Sequence, residues 1–131
     1  MTCLETDFVV DLLRNKRQAR LKLTELENSD EPLTITPITL TELFKGAYSA
    51  HDVDSALFKV DEVTRNLHVL NYDMFAAKKA GELLSHLEKS GSRIGDFDTV
   101  IAAICLRYEE ALVTKNKKHF SRAKGLSIID Y

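Results

Sequence analysis

The amino-acid sequence predicts an α/β fold in which a central parallel β-sheet is flanked by helices. Short apolar runs alternate with longer helical patterns along the chain, which is the order found in parallel sheets with crossover helices. The length of 131 residues fits one compact domain, which we assign to residues 1–131. Hydrophobic residues make up 44% of the chain and charged residues 29%, a balance that excludes a disordered protein.

The predicted strands are short and mostly apolar. They span Thr2–Thr6, Pro32–Pro37, His68–Leu70, Ala111–Thr114 and Leu126–Asp130. The predicted helices carry apolar residues three and four positions apart. They span Phe8–Asn15, Arg17–Asn28, Thr39–Ala50, Val53–Asn66, Asp73–Ser90 and Phe97–Arg107. The last of these helices is apolar nearly all round, which predicts that it is buried in the centre of the domain.

Bulk features of the chain restrict its location and its partners. Cys3 and Cys105 both stand beside apolar residues, so we predict buried, reduced thiols in a cytosolic protein. The chain shows no N-terminal signal pattern and no apolar run of transmembrane length, from which we expect a cytoplasmic protein with no membrane partner. The formal net charge is -2, so a polyanion would need a local basic patch or bound metal ions.

Acidic residues recur where the predicted strands end or the predicted helices begin. The first group is Glu5-Thr6-Asp7, in which Asp7 alone would suit the N-cap of the next helix. The second is Glu42. A surface pair with Lys45 or a capping box with Thr39 would also explain Glu42 without any functional site.

Two further polar groups follow the same pattern. Asp96 and Asp98 stand at the entry of the most apolar helix. One of them suffices as a cap, and the other is costly to bury unless a metal ion neutralises it. Asn116 follows a predicted strand and is either a turn residue or an oxygen ligand.

These oxygen ligands meet at the carboxyl ends of parallel strands, where sites form in open α/β sheets. Oxygen-only sites suit Mg²⁺ or Mn²⁺. Such an ion lowers the pKa of an attacking water and stabilises charge on the leaving oxygen in phosphodiester hydrolysis. The sequence therefore predicts a metal-dependent nuclease.

The strongest local positive charge follows the fourth predicted strand. It comprises Lys115, Lys117, Lys118, His119, Arg122 and Lys124, which Arg93 could join. Either this segment is a solvated surface loop or it contacts phosphate groups. We consider His119 as a general base and prefer metal-activated water in that role, because no set of nucleophile, acid and orienting group is apparent.

Four motifs occur in an order that is specific when taken together. They are Glu5-Thr6-Asp7, a Thr-x-x-Glu-Leu segment at Thr39–Leu43, GDFDTVIAA around Asp98, and LVTKNKKHF at Leu112–Phe120, followed by Gly125-Leu126 and a final IIDY. In these motifs essentially the whole chain resembles the PIN-domain family, and most closely its VapC-type toxin ribonucleases.

The resemblance implies a PIN-like three-layer fold and a Mg²⁺- or Mn²⁺-dependent endoribonuclease that cleaves single-stranded or structured RNA. It also implies a homodimer and a cognate antitoxin that blocks the site. By position, the catalytic, metal-binding acids are Glu5, Glu42 and Asp98, and further metal ligands come from Asp7, Asp96 and Asn116. Thr6, Asp7 and Thr114 would support the site. The expected substrate contacts are Thr6, Arg93, Thr114, Lys115, Lys117 and Lys118.

One position departs from the family pattern, because Glu5 stands where the family has Asp. The extra methylene shifts a ligand in a site that demands near-ideal geometry. Either Asp7 then ligates instead, or activity is reduced. The alternative to a toxin ribonuclease is thus a catalytically weakened PIN-like RNA-binding or regulatory module. A phosphatase of the haloacid type ranks last, since Glu5 is a poor replacement for its nucleophilic Asp.

The helical faces that carry Phe44, Tyr48, Leu57 and Phe58 have two explanations. Ordinary core packing is the explanation that we favour. The other is a surface that binds an antitoxin or a second copy of the chain.

Overall fold

Five short strands form the centre of the molecule. In the computed structural model, which describes residues 1–131, they are β1 (Thr2–Leu4), β2 (Leu33–Ile35), β3 (His68–Val69), β4 (Ala111–Val113) and β5 (Ile128–Ile129). The strand order is β3-β2-β1-β4-β5, and every neighbouring pair is parallel. Cys3 at the middle of the central strand pairs with Thr34 on one side and Leu112 on the other.

Seven helices connect and flank the strands. They are α1 (Thr6–Leu13), α2 (Arg17–Glu27), α3 (Pro37–Tyr48), α4 (Val53–Thr64), α5 (Met74–Lys89), α6 (Asp96–Arg107) and α7 (Lys117–Phe120). No helix has the length and apolar character needed to cross a membrane.

The core consists of two apolar clusters, one on each face of the sheet. Cys3 and Leu112 belong to the cluster formed with α5 and α6, whereas Leu4 and Val113 belong to the cluster formed with α1, α3 and α4. Successive strand residues point to opposite faces, so the central strands β1 and β4 contribute to both clusters. The predicted three-layer α/β fold with a parallel sheet is confirmed, as is the burial of both cysteines.

The strand order determines where a site can form. The chain runs from β1 outward to β2 and β3, and then returns to the other side of β1 to form β4 and β5. The order therefore reverses between β1 and β4, and a crevice opens at the carboxyl ends of strands at such a point. The residues that follow these two strands are Glu5 and Thr114.

Two helices start two residues before their predicted positions. Helix α1 begins at Thr6 rather than Phe8, and its N-cap is Glu5, not Asp7. The longer side chain of Glu5 turns back to accept a hydrogen bond from the Asp7 amide. Helix α3 begins at Pro37, because proline favours the first helical position.

The caps predicted for α3 and α6 are also wrong. Thr36 caps α3 by accepting from the Thr39 amide at 3.1 Å, so Thr39 and Glu42 do not form a capping box. Helix α6 starts directly after Gly95, whose φ of 93° favours glycine, and no side chain caps it. Neither Asp96 nor Asp98 is therefore used as a cap.

Helix α7 was expected to be part of a basic loop. It forms because Phe120 is buried in the same apolar cluster as α6 and gives the four-residue helix an anchor. The lysines that precede Phe120 remain exposed.

Replacing Phe120 with Ala should destabilise the protein strongly, because it empties a fully enclosed position. We expect a loss of about 3–5 kcal/mol in the free energy of unfolding, measured by urea denaturation. Phe58 is 63% exposed, and Phe58→Ala as the matched control should change stability by no more than about 0.5 kcal/mol. Equal losses in the two variants would contradict the anchoring role of Phe120.

Candidate active site

Glu5 lies at the centre of the crevice at the end of β1 and is 3% exposed. Its Oε2 accepts hydrogen bonds from the Asp7 amide at 3.1 Å and from Thr114 Oγ1 at 3.2 Å. Burial and the nearby charge of Asp7 raise the pKa of Glu5 to about 8, and Asp98 adds to the rise. The two hydrogen bonds act in the opposite direction and do not overcome burial.

Glu42 reaches the same crevice from α3. Its Oε1 accepts a hydrogen bond from Thr6 Oγ1 at 2.7 Å, and Thr6 in turn lies 3.1 Å from Thr39 Oγ1. Burial raises the pKa of Glu42, and the charges of Asp98 and Asp7 raise it further, against the hydrogen bond from Thr6. Glu42 is therefore held by a threonine on a neighbouring helix rather than paired with Lys45.

Asp98 enters from the first turn of α6. Its Oδ2 lies 2.9 Å from His119 Nε2, which belongs to α7. Burial raises the pKa of Asp98 despite this contact with His119, and the charge of Asp7 contributes in the same direction.

Asp7 is exposed at the mouth of the crevice. Its charge raises the pKa of Glu5, Glu42 and Asp98 alike, so it lies within electrostatic reach of all three. We call Glu5, Asp7, Glu42 and Asp98 the acidic cluster. Its members come from the end of β1, the first turns of α1 and α6, and the middle of α3, and they meet at the carboxyl ends of the strands.

Two of the expected metal ligands, Asp96 and Asn116, form no hydrogen bond with the acidic cluster through their side chains. Asp96 is exposed, and residues two positions apart on a helix do not face the same side. It lines a separate depression with Glu88 and Arg93. Asn116 is exposed, and its backbone amide donates to Thr114 Oγ1 at 3.0 Å while its side chain makes no hydrogen bond.

The two threonines expected to support the site and contact substrate each donate a hydrogen bond to an acid of the cluster. Thr114 is fully buried, and its hydroxyl donates to Glu5 and accepts from the Asn116 amide. The Thr6 hydroxyl donates to Glu42. Both side chains therefore orient carboxylates, and buried Thr114 leaves no surface for a substrate.

The basic residues fall into two groups. Arg93 pairs with Glu88 at 3.0 Å, and Lys115 pairs with buried Asp11 at 3.0 Å. Lys117 and Lys118, in contrast, are exposed at the start of α7 and form no ion pair. Only these two of the four expected basic contacts present free charge.

Asp11 was not singled out in the sequence. Burial would raise its pKa, but hydrogen bonds from Tyr131 at 2.7 Å and from Lys115 outweigh burial and hold the pKa below its usual range. The contact between Asp11 and Lys115 joins α1 to the segment after β4. No motif marks Asp11, because its partners lie 104 and 120 residues away along the chain.

The sequence suggests His119 as a general base or as part of the basic segment, and in the structure it makes a direct contact with a member of the acidic cluster. The only signal in the sequence is its position next to Phe120, whose burial determines how α7 is oriented.

The acidic cluster has the donor atoms and charge that a divalent cation requires. In this structure no three Asp, Glu, His or Cys side chains converge closely enough to hold a metal ion. Carboxylates that share a crevice repel one another when no cation lies between them, and the raised pKa values of three of the acids reflect burial and this repulsion. The residues therefore fit a divalent ion in the chemistry of their donor atoms.

The stability of the metal-free protein should fall as the pH rises towards 8. Folded Glu5 keeps its proton up to a pKa of about 8, whereas the unfolded chain releases it near 4.5, so the folded state binds more protons in this window. Glu5→Gln should remove that loss and be more stable than wild type at pH 8 by a few kcal/mol. The measurement is urea denaturation with chelator at pH 5 and pH 8.

The control for Glu5→Gln is Glu27→Gln, a change at an exposed glutamate in the last turn of α2. It should leave the dependence of stability on pH unchanged. A wild-type protein that becomes more stable between pH 5 and pH 8 would disprove the protonated state of Glu5.

Known proteins resemble this one over nearly the whole chain. The model of the PIN domain family matches residues 2–126. A tRNA(fMet)-specific endonuclease VapC from Salmonella typhimurium is 30% identical over 128 residues, which cover 98% of this chain and 96% of that protein.

Solved structures give the same result. VapBC2 from Rickettsia felis, bound to a DNA fragment from its promoter, contains a chain with a TM-score of 0.91 and 26% identity, covering 99% of this chain and 98% of that one. VapBC-5 from Mycobacterium tuberculosis, of the VapBC family of toxin-antitoxin systems, matches with a TM-score of 0.66 and 27% identity over 76% of this chain and 82% of that one. The resemblance expected from the motifs is confirmed: the chain belongs to the PIN-domain family and has VapC ribonucleases among its relatives.

Proposed function

We propose that this protein is a metal-dependent endoribonuclease and the toxin of a toxin-antitoxin pair. The observation that carries the proposal is the acidic cluster, which lies at the point where the strand order reverses. Membership of a family with VapC ribonucleases supports RNA as the substrate.

The proposed ligands of Mg²⁺ or Mn²⁺ are Glu5, Glu42 and Asp98, with Asp7 at the mouth of the crevice. A bound ion would lower the pKa of the attacking water and stabilise charge on the leaving oxygen. Glu5 must give up its proton to bind a cation, so binding releases protons. Thr114 and Thr6 hold the carboxylates of Glu5 and Glu42 in place.

RNA would approach along the face that carries Lys117 and Lys118. Both lysines are exposed and unpaired, and they lie on the same short helix as His119, which contacts Asp98. Contacts to phosphate position a nucleic acid without reading its sequence. The net charge of -2 gives no overall attraction, so this local charge supports binding.

A groove beside the acidic cluster offers a surface for the cognate antitoxin. It has a volume of about 430 Å³, and it is lined mainly by apolar residues of α1, α3 and α4, with Glu42 in its wall. We propose that the antitoxin binds here and keeps RNA from the acids. Phe44 and Leu57 pack against the core, whereas Tyr48 and Phe58 are exposed beside these helices. We also propose that the protein forms a homodimer and acts in the cytoplasm.

One observation favours a second candidate, a PIN-like RNA-binding or regulatory module with weak catalysis. Glu5 carries the extra methylene, is buried, and has a pKa of about 8. At neutral pH its carboxyl is mostly protonated without a cation, so binding must overcome a cost that a more exposed acid would not present.

Cleavage of RNA should stop when a chelator is added and return with Mg²⁺ or Mn²⁺. Asp98→Asn should lower the cleavage rate by about 100-fold or more, because it removes a charged metal ligand. Asp96→Asn is the matched control, since it changes an exposed carboxyl two residues away on the other side of α6. Cleavage that survives both chelator and Asp98→Asn would eliminate the proposed mechanism.

Replacing Lys117 and Lys118 together with Ala should weaken RNA binding and reduce its dependence on salt. Each lost phosphate contact lowers the slope of log K against log salt by about 0.7 for a single strand, so we expect a decrease of roughly 1.4. The control replaces the exposed Arg17 and Arg20 of α2, which form no ion pair. If both double variants show the same slope as wild type, Lys117 and Lys118 do not contact RNA.

A further inference from the structure

His119 presents a nitrogen atom to an otherwise oxygen-based acidic cluster. Its Nε2 lies 2.9 Å from Asp98 Oδ2, and the imidazole ring makes no other hydrogen bond. The two side chains are 26% and 29% exposed, so the pair is accessible from the crevice and is not sealed in the core.

The position of the imidazole is built into the fold. Phe120 is fully buried, and its ring contacts the His119 ring edge-on with centroids 5.5 Å apart. Neighbouring side chains on a helix point about 100° apart, so the burial of Phe120 determines the direction in which His119 extends. Lys117 and Lys118 lie on the exposed side of the same turn.

We propose that His119 is a nitrogen ligand of the divalent ion, together with Asp98, and that the site therefore favours transition-metal ions over Mg²⁺. The inference rests on the proposed metal-dependent function and specifies the ion that it uses. Adjacent ligand atoms around an octahedral ion with bonds of roughly 2.1 Å lie about 3.0 Å apart. The 2.9 Å separation of the two atoms is that of a hydrogen bond, and a cation that displaced the shared proton would need little change in this separation.

The choice of ion follows from ligand chemistry. Mg²⁺ takes oxygen ligands almost exclusively, whereas imidazole favours first-row transition metals, with affinity rising from Mn²⁺ to Co²⁺ and Ni²⁺. An all-oxygen set of Glu5, Glu42 and Asp98 would give Mg²⁺ a site of its preferred kind. Adding His119 makes the set mixed and shifts the preference towards Mn²⁺ and Co²⁺.

The test compares wild type with His119→Gln. Pulsed electron paramagnetic resonance of the Mn²⁺-loaded protein should show coupling to a histidine nitrogen in wild type and none in the variant. Calorimetric titration should show Co²⁺ affinity falling by about tenfold or more, with Mg²⁺ affinity changing much less. Glutamine keeps an N–H that can donate to Asp98, so a purely orienting hydrogen bond would survive the substitution.

His51→Gln is the matched control, because His51 is exposed between α3 and α4 and makes no side-chain hydrogen bond. It should retain the nitrogen coupling and the Co²⁺ affinity. Thermal unfolding of each variant checks that the fold is intact, as expected for a partly exposed side chain.

Absence of nitrogen coupling in wild type would overturn the inference, as would equal losses of Co²⁺ and Mg²⁺ affinity in His119→Gln. RNA cleavage by wild type in Mn²⁺ is measured alongside. Cleavage without nitrogen coupling leaves the proposed function standing and removes His119 as a ligand. Nitrogen coupling without cleavage leaves His119 as a metal ligand and removes the proposed function. The two failures are therefore distinguishable.

Discussion

The carboxyl group of Glu5 is buried where β1 ends, and the hydrogen bond from Thr114 joins it to the end of β4. The Asp7 amide supplies a second hydrogen bond from the first turn of α1. One side chain thus connects two adjacent strands and a helix start. Since an acid buried in this way is costly when charged, the surrounding chain must either leave it protonated or provide a cation. The architecture of the crevice follows from that constraint.

Glu42 is supported by a chain of threonine hydroxyls, and Asp98 is supported by His119. Thr6 donates to Glu42 from α1, and the hydroxyls of Thr39 and Thr36 extend this chain of contacts into α3. These contacts hold charges that repel one another, which is the role of a preorganised outer layer around a metal site.

Much of the fold follows from local pattern. Apolar periodicity predicts six of the seven helices and all five strands, and the position of acids after strands predicts the crevice. The start of α3 also has a local cause, because proline favours the first helical position and Pro37 occupies it. The capping pattern at Thr39 predicted a later start. Helix α7 could not be predicted in this way, because a four-residue helix exists only through the burial of Phe120.

The site was less predictable than the fold. The sequence identifies Glu5, Glu42 and Asp98 as acids in suitable places. It does not show that Lys115 is neutralised by Asp11, or which of Asp96 and Asp98 faces the crevice. Such facts depend on pairs of residues that are distant along the chain or on the rotation of one helix. Tertiary contacts determine them, and no short motif encodes them.

The hydrogen bond between Thr114 and Glu5 spans 109 residues. During synthesis, which proceeds from the N-terminus, β1 can pair with β2 early, but the other side of the central strand stays open until β4 has emerged from the ribosome. Asp98 and His119 also arrive in this last part of the described chain. The crevice of a nascent chain therefore cannot assemble until α6, β4 and α7 have been synthesised and have emerged from the ribosome.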